Sequence, residues 1–193
     1  MADDGTKTVL VPVGNGSEEM EAVILIDVLR RAGADVTVAS VESDLEVVCS
    51  RKVKLVADKL IGDVANDKFD LIALPGGMPG AERLRDNMQL DALLQQQAMS
   101  GSLCSAMCAA PAVVLESKGL LAGRKATAHP AFVDTLTDPS DAEKRVVVDG
   151  NLVTSRGPGT AIEFALQLVK QLYGEEKAKD VAGPMVTHDI SYA

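Results

Sequence analysis

The sequence predicts an α/β fold in which helices cover both faces of a doubly wound, mostly parallel sheet that also carries a small hairpin. Three observations support this fold class. Short apolar runs of strand length alternate with segments of helical periodicity. Several of these runs end in glycine-containing turns. The 193 residues are 47% hydrophobic and show no repeat or flexible linker, so residues 1–193 are expected to form one domain.

The first strand and helix have the clearest signals. Residues 9–13 are apolar and predict the first strand. Ser17 is the expected N-cap of the following helix, because a serine hydroxyl can accept a hydrogen bond from a free backbone N–H. Glu18 and Glu19 suit the positive first turn, and Gly33 marks the helix end.

The middle of the chain continues the alternation. Strands are predicted over residues 36–40, 47–49, 53–56 and 71–74, and helices over residues 81–85 and 90–99. The run 71–74 is apolar throughout, which is typical of a central strand. It ends at Pro75-Gly76-Gly77, a turn almost free of side chains.

The second half places two chemically useful residues at strand ends. A strand near Leu103 leads into a turn at Cys108, followed by a helix over residues 109–117. The other predicted elements are a strand over 125–128, a hairpin of 146–148 and 152–154 around Asp149-Gly150, and an amphipathic helix capped by Thr160 and ending at Leu172. The strand over 125–128 would place His129 at its carboxyl end.

Composition and charge exclude several classes of function. The formal net charge of −9 disfavours binding to nucleic acid or to anionic lipid. No apolar run approaches the roughly 18 residues of a membrane span. Cysteines at 49, 104 and 108 fit neither a disulfide framework nor a metal site. Without a targeting pattern, we expect the cytoplasm, with the nucleus as an alternative, and small molecules as partners.

Cys108 is the strongest candidate for chemistry. It lies between an apolar strand and a helix start, where free N–H groups and the helix dipole favour a thiolate at an exposed turn. The alternative is a small buried hydrophobic residue, as most free cysteines are. Ligands of doubly wound sheets collect beyond the carboxyl ends of the strands, where Cys108 would lie.

Three other segments should meet Cys108 at that edge. Glu21 shares a helix face with Leu25 and Val28, so it is either a buried acid with a raised pKa or an exposed first-turn acid. Gly76-Gly77 is either an oxyanion-binding turn or a plain turn. His129 could relay protons or could be structural. The residues alone leave these alternatives open.

Five motifs in order closely resemble the parkinsonism-associated deglycase family of the PfpI superfamily. They are Gly16-Ser17-Glu18-Glu19-Met20-Glu21, Leu74-Pro75-Gly76-Gly77, Ala106-Met107-Cys108-Ala109-Ala110-Pro111, His129-Pro130 and Ser155-Arg156-Gly157-Pro158-Gly159-Thr160. The resemblance implies a flavodoxin-like sandwich, usually homodimeric, with Cys108 as nucleophile, Glu21 as its protonated partner and His129 as a neighbouring acid/base. Ala110 stands where the family usually has glycine.

The same resemblance implies further roles. Backbone N–H groups of Gly77 and Ala109, beside Gly76, would bind an oxyanion or substrate, while Met20 and Arg51 would lie at the dimer contact. The implied activity is a cofactor-free, metal-free glyoxalase III acting on small dicarbonyls such as methylglyoxal, with related deglycase repair. A cysteine-based oxidative-stress sensor or redox chaperone is the first alternative, and a cysteine peptidase or amidase the second.

Overall fold

The computed structural model describes residues 5–188. Its strands are β1 (Thr8–Val13), β2 (Asp35–Ser40), β3 (Glu46–Val48), β4 (Lys54–Val56), β5 (Lys59–Leu60), β6 (Leu71–Leu74), β7 (Leu103–Met107), β8 (Val146–Asp149) and β9 (Leu152–Ser155). Its α-helices are α1 (Glu19–Arg31), α2 (Gly80–Asp86), α3 (Met88–Ser100), α4 (Ala161–Tyr173) and α5 (Glu175–Ala182). No helix within this part of the chain is long and apolar enough to cross a bilayer.

Seven strands form the central sheet in the order β5-β2-β1-β6-β7-β9-β8. All neighbouring strands in it are parallel except β8 and β9, which are antiparallel. Strands β3 and β4 pair separately as a short hairpin. The predicted doubly wound α/β fold is confirmed, and the carboxyl ends of β1, β6 and β7 meet at the middle of one sheet edge.

The core has two halves, one on each face of the sheet. On one face, alternate β1 residues such as Val9 and Val11 pack with Leu25 of α1 and Phe164 of α4. On the other face, Leu10 joins the apolar side chains of β6, α2 and α3. Each large side chain fully buried in this way contributes about 1.5–3 kcal/mol of hydrophobic stabilisation.

Two predicted helix caps are corrected. Ser17 Oγ accepts from Gly14 N at 3.0 Å, so the carboxylate of Glu18 caps α1 instead, accepting from Glu21 N at 2.7 Å. Thr160 directly precedes α4, but its hydroxyl turns back to the preceding loop and caps no helix N–H. In both cases a closer donor in the preceding turn occupies the hydroxyl that the sequence pattern assigned to the helix.

The predicted strand over residues 125–128 does not form. Lys125 N donates to Asp149 Oδ2 at 2.8 Å, and Thr127 N donates to Thr154 Oγ1 at 2.9 Å. Side-chain oxygens therefore replace the carbonyl partners that a sheet ladder would need. The segment still delivers His129 to the site, since His129 N donates to Cys108 O at 2.8 Å.

Other differences are smaller. The predicted helix over 109–117 is a five-residue π-helical turn, Pro111–Leu115, followed by the 3₁₀ turn Glu116–Lys118. The predicted β8–β9 hairpin is confirmed, but its two turn residues are Gly150 and Asn151, one position later than the sequence signal. Helix α5 and the two-residue edge strand β5 were not predicted.

Candidate active site

Cys108 occupies a strained backbone position directly after β7. Its φ is 60°, in the left-handed region that residues with a side chain rarely adopt. Two hydrogen bonds hold this turn: Cys108 N donates to Ser155 O at 3.0 Å, and His129 N donates to Cys108 O at 2.8 Å. Such strain costs about 1–3 kcal/mol and clusters at functional sites.

The Cys108 side chain is more buried than predicted. The residue is only 9% exposed, which corrects the expectation of a thiol presented to solvent. Burial, reinforced by the nearby Glu21 carboxylate, raises the pKa of the thiol to about 12, whereas the N–H groups of Gly77 and Ala109 lower it. The expected helix dipole is weak, because only a short π-helical turn follows. The thiolate therefore depends on the charge of Glu21.

Glu21 is the second buried member of the site, with no exposed surface. Its Oε2 accepts from Gly76 N at 2.7 Å, while Oε1 has no hydrogen-bond partner within residues 5–188. Burial raises the pKa of this carboxyl to about 7, and the carboxyl interacts with the Cys108 thiol. Of the two alternatives that the sequence left open, the buried acid is the one observed.

Glu21 and Cys108 form a proton-sharing pair. An ionised Glu21 repels a thiolate and opposes its formation. A protonated Glu21 is neutral and can donate a hydrogen bond, so it would stabilise the same thiolate. A transfer of the proton from sulfur to the carboxylate would therefore avoid placing two negative charges in one buried site.

The two glycines after β6 have different environments. The N–H of Gly76 is occupied by Glu21, so the prediction that Gly76 supplies an oxyanion donor is wrong. A Cβ on Gly76 would lie 2.6 Å from Cys108 Cβ, which shows how closely the two turns pack. Gly77 has a φ of 90°, and its N–H, like that of Ala109, is directed toward Cys108 Sγ.

Close main-chain contacts at two glycines also join the loop before α1 to this site. A Cβ on Gly77 would lie 2.4 Å from Glu18 N, and a Cβ on Gly80 would lie 2.3 Å from Ser17 N. Neither position has room for a side chain. The loop before α1 and the loop before α2 therefore pack main chain against main chain, which fixes Glu21 relative to Cys108.

His129 lies beside the pair, half-buried. Its Nδ1 accepts from Ala131 N at 3.1 Å, so a neutral ring carries its proton on Nε2. The ring packs edge-on to Phe132, with centroids 6.2 Å apart. Within the described residues, no hydrogen bond joins the imidazole to Cys108 Sγ and no carboxylate orients it, so the three-residue arrangement of a cysteine peptidase is not formed there.

Met20 and Arg51 lie at the surface beside the site. Met20 is 55% exposed. The Glu19 carboxylate accepts from Arg51 N at 2.7 Å and from Ser50 Oγ at 2.7 Å, which ties the β3–β4 hairpin to the start of α1. The dimer contact that the resemblance assigned to Met20 and Arg51 stays a prediction.

Several site features lay outside the reach of sequence reasoning. The left-handed backbone of Cys108 and the steric contacts of Gly77 and Gly80 depend on tertiary packing. For the left-handed backbone of Cys108, the only sequence signal was a strand followed by a turn of small residues. Among residues 5–188, no group of three or more His, Cys, Asp or Glu side chains is arranged to hold a metal ion.

Comparison with known proteins places this geometry in a family. A model of the DJ-1/PfpI family matches residues 7–171. The chain belongs to the DJ-1/PfpI family. The family resemblance stated from the sequence motifs is thereby confirmed.

Relatives of known name cover the DJ-1/PfpI chain almost completely. Arabidopsis thaliana Protein DJ-1 homolog B is 56% identical over 174 residues, which are 90% of this chain and 40% of that protein. Caenorhabditis elegans Glutathione-independent glyoxalase DJR-1.2 is 36% identical over 187 residues, which are 96% of this chain and 98% of that protein. The chain spans less than half the length of the Arabidopsis relatives but nearly all of the nematode one.

A solved structure agrees with the described fold. The structure described as "Toxoplasma gondii DJ-1, oxidized" is 52% identical and superposes with a TM-score of 0.92. The match covers 95% of this chain and 100% of that chain. The fold of the DJ-1/PfpI chain is therefore the fold of solved DJ-1 proteins.

Proposed function

We propose that this DJ-1/PfpI chain is a glutathione-independent glyoxalase III that converts methylglyoxal to lactate, and glyoxal to glycolate, through a hemithioacetal on Cys108. The observation that carries the proposal is the buried contact of Glu21, with its pKa raised to about 7, against a strained cysteine. A group that titrates near neutral pH can both take and return a proton during one turnover. The nematode relative named as a glyoxalase supports the same reaction class.

The first step is thiol addition. The Cys108 proton passes to the Glu21 carboxylate, and the thiolate forms a C–S bond to the aldehyde carbon of methylglyoxal. The aldehyde π electrons move to oxygen, and the N–H groups of Gly77 and Ala109 would stabilise that oxyanion. Glu21 then returns its proton to the oxygen, which gives a neutral hemithioacetal and an ionised carboxylate.

The second step moves a proton between the two carbons. Glu21 removes the hydrogen of the former aldehyde carbon as a proton, and the C–H electrons form an enediolate whose charge lies on the former ketone oxygen, where the Nε2–H of His129 would support it. The hydroxyl proton of the first carbon passes to that oxygen, and Glu21 returns its proton to the second carbon, which gives a lactoyl thioester. Water then hydrolyses the thioester to lactate and regenerates the thiol.

This reaction balances without a redox cofactor. The aldehyde carbon is oxidised to a carboxylate, the ketone carbon is reduced to an alcohol, and one water is consumed. An early adduct of methylglyoxal on an amine or thiol has its reacting carbon at the aldehyde level. The same site would therefore support the proposed deglycase repair, with the free amine or thiol as leaving group.

Lactate formation tests the proposal. Purified wild-type protein is mixed with methylglyoxal without glutathione or metal, and lactate is measured beside Cys108→Ser and Glu21→Ala. We expect no turnover from Cys108→Ser and a loss of at least about 100-fold from Glu21→Ala, the usual scale of a lost general acid/base. The matched control is Cys104→Ser, which removes a thiol from the strand that precedes Cys108 and should retain turnover. Wild-type lactate levels from Cys108→Ser would contradict the mechanism.

A second candidate function is a cysteine-based sensor of oxidants. The unpartnered Oε1 of Glu21 favours it, because a protonated carboxyl could donate to a sulfinate oxygen on Cys108. The related Toxoplasma structure is described as oxidized. Titration with peroxide, with the mass of Cys108 followed beside cell survival, separates the roles. A sensor needs oxidation for its effect, whereas a glyoxalase loses turnover when its thiol is oxidised.

We also propose that the chain forms a homodimer through the outer face of α1 and the β3–β4 hairpin. Val23 and Val56 are 45% and 71% exposed and line one groove between these elements, together with Ile26 and Leu55 and with charged residues at its edge. Met20 lies on the same helix, and Arg51 on the hairpin loop. A second copy covering this face would remove exposed apolar surface from water.

A further inference from the structure

Two buried hydroxyls lie behind the Cys108 turn. Ser155, at the end of β9, is fully buried and Thr160 is 7% exposed, with 2.6 Å between Ser155 Oγ and Thr160 Oγ1. Ser155 Oγ also donates to Arg145 O at 2.7 Å, and Thr160 Oγ1 donates to Gly157 O at 2.9 Å, so each hydroxyl has a carbonyl acceptor as well as its partner. We call the side chains of Ser155 and Thr160 the hydroxyl pair.

The Thr160 hydroxyl is the acceptor for the loop between β9 and α4. Arg156 N and Gly157 N point to Thr160 Oγ1 at 3.3 and 3.2 Å, and Gly157 O lies 2.9 Å from the same oxygen. Gly157 is buried, so its N–H would have no ready water partner if the hydroxyl were removed. One hydroxyl thus determines the path of this loop.

Ser155 contacts Cys108 through its main chain, and Thr160 acts on the site through the loop that it holds. The carbonyl of Ser155 accepts the Cys108 N–H at 3.0 Å, and the carbonyl of Cys108 accepts the His129 N–H at 2.8 Å. On the other side, a Cβ on Gly157 would lie 3.5 Å from Cδ2 of the His129 ring, so the loop passes beside the imidazole. A shift of the loop would therefore move both Cys108 and His129.

We propose that the Ser155–Thr160 hydroxyl pair is a positioning unit that holds the Cys108 main chain in its left-handed conformation and the His129 ring in place, and so sets the reactivity of the thiol. The role rests on the proposed nucleophilic function of Cys108. Without the Thr160 hydroxyl, the loop moves to rehydrate its N–H groups. The turn relaxes, and Sγ leaves the N–H groups of Gly77 and Ala109.

The test compares Thr160→Val, which removes the hydroxyl at nearly constant volume, with Thr160→Ser, which keeps it. The matched control is Thr8→Val, which removes a hydroxyl bonded to Asp70 at the opposite end of the sheet. The readout is the rate of alkylation of Cys108 by iodoacetamide between pH 6 and pH 10, resolved by peptide mass. Labelling of the buried Cys49 in the same samples reports any global unfolding.

We expect Thr160→Val to lower the Cys108 alkylation rate about tenfold at each pH from 6 to 10, as expected for loss of one buried hydrogen-bonding group. Thr160→Ser and Thr8→Val should stay within about twofold of wild type. If Thr160→Val does not fold, Ser155→Ala takes its place with the same expectation. Alkylation profiles that superimpose on wild type would overturn the positioning role.

Lactate formation separates this proposal from the proposed function. A wild type that makes no lactate, with the alkylation shift still present in Thr160→Val, would contradict the glyoxalase and support the positioning unit. A wild type that makes lactate, with no alkylation shift in Thr160→Val, would overturn the positioning unit alone.

Discussion

Replacement of Glu21 by glutamine should change the pH dependence of stability. Glu21 has no exposed surface, and its pKa is raised from the ordinary 4.5 to about 7, chiefly by burial. The folded protein therefore binds a proton at this carboxyl more tightly than the unfolded chain does. Its stabilising contribution is complete below pH 4.5 and is lost as the pH rises through about 7.

The size of this effect follows from the two pKa values. A rise from 4.5 to about 7, at about 1.4 kcal/mol for each pH unit, corresponds to about 3 kcal/mol between pH 4 and pH 8. Glutamine is close to the protonated acid in shape and does not titrate. The difference in unfolding free energy between Glu21→Gln and wild type should therefore shift by about 3 kcal/mol in favour of the variant over this range.

Urea unfolding at several pH values measures the shift directly. The free energy of unfolding is determined for wild type and Glu21→Gln from pH 4 to pH 8, and the difference at each pH cancels the groups that both proteins share. The exposed Glu176→Gln is the matched control and should give a flat difference. A flat difference for Glu21→Gln as well would refute the argument that burial governs the protonation of this carboxyl.

Two further predictions concern packing and assembly. Gly80→Ala should destabilise the fold by about 1–3 kcal/mol in urea unfolding and slow Cys108 alkylation, because the new Cβ would lie 2.3 Å from Ser17 N. Gly183→Ala, which meets nothing closer than 3.6 Å, should do neither, and an unchanged Gly80→Ala would contradict the main-chain contact. Val56→Asp should convert a dimer to monomer in sedimentation velocity while the equally exposed Met99→Asp leaves it unchanged. A Val56→Asp variant that sediments with the same mass as wild type would contradict the proposed dimer face.

The central strands could be predicted because their residues are almost all apolar. Residues 71–74 are apolar at every position, and the structure buries them in the middle of the sheet, as β6. Helix α5 gave no comparable signal, since Ala178 and Val181 are its only buried residues. The segment 125–128 had the right composition for a strand, but Asp149 and Thr154 supply its hydrogen-bond partners from side chains. Whether side-chain oxygens replace main-chain carbonyls as acceptors depends on which segments the fold brings together.

The site was predicted in outline and corrected in its contacts. The spacing of Glu21 from Leu25 and Val28 indicated an apolar helix face but left a buried and an exposed acid as alternatives, and only the tertiary fold determines that the carboxyl is buried. The parallel register that aligns Leu74 with Ala106 places the Gly76 turn against the Cys108 turn. That register is a long-range property, so the sequence could indicate a glycine turn but could not tell which N–H binds Glu21.

The strained turn at Cys108 has an evolutionary consequence. Its φ of 60° belongs to the main chain and not to sulfur, so serine or alanine at this position carries a conformational cost as cysteine does. A descendant that had lost its chemistry would gain stability from glycine there, whereas serine or alanine would bring no relief. Glycine at the position of Cys108 is therefore the substitution expected in lineages where selection for the reaction has ended.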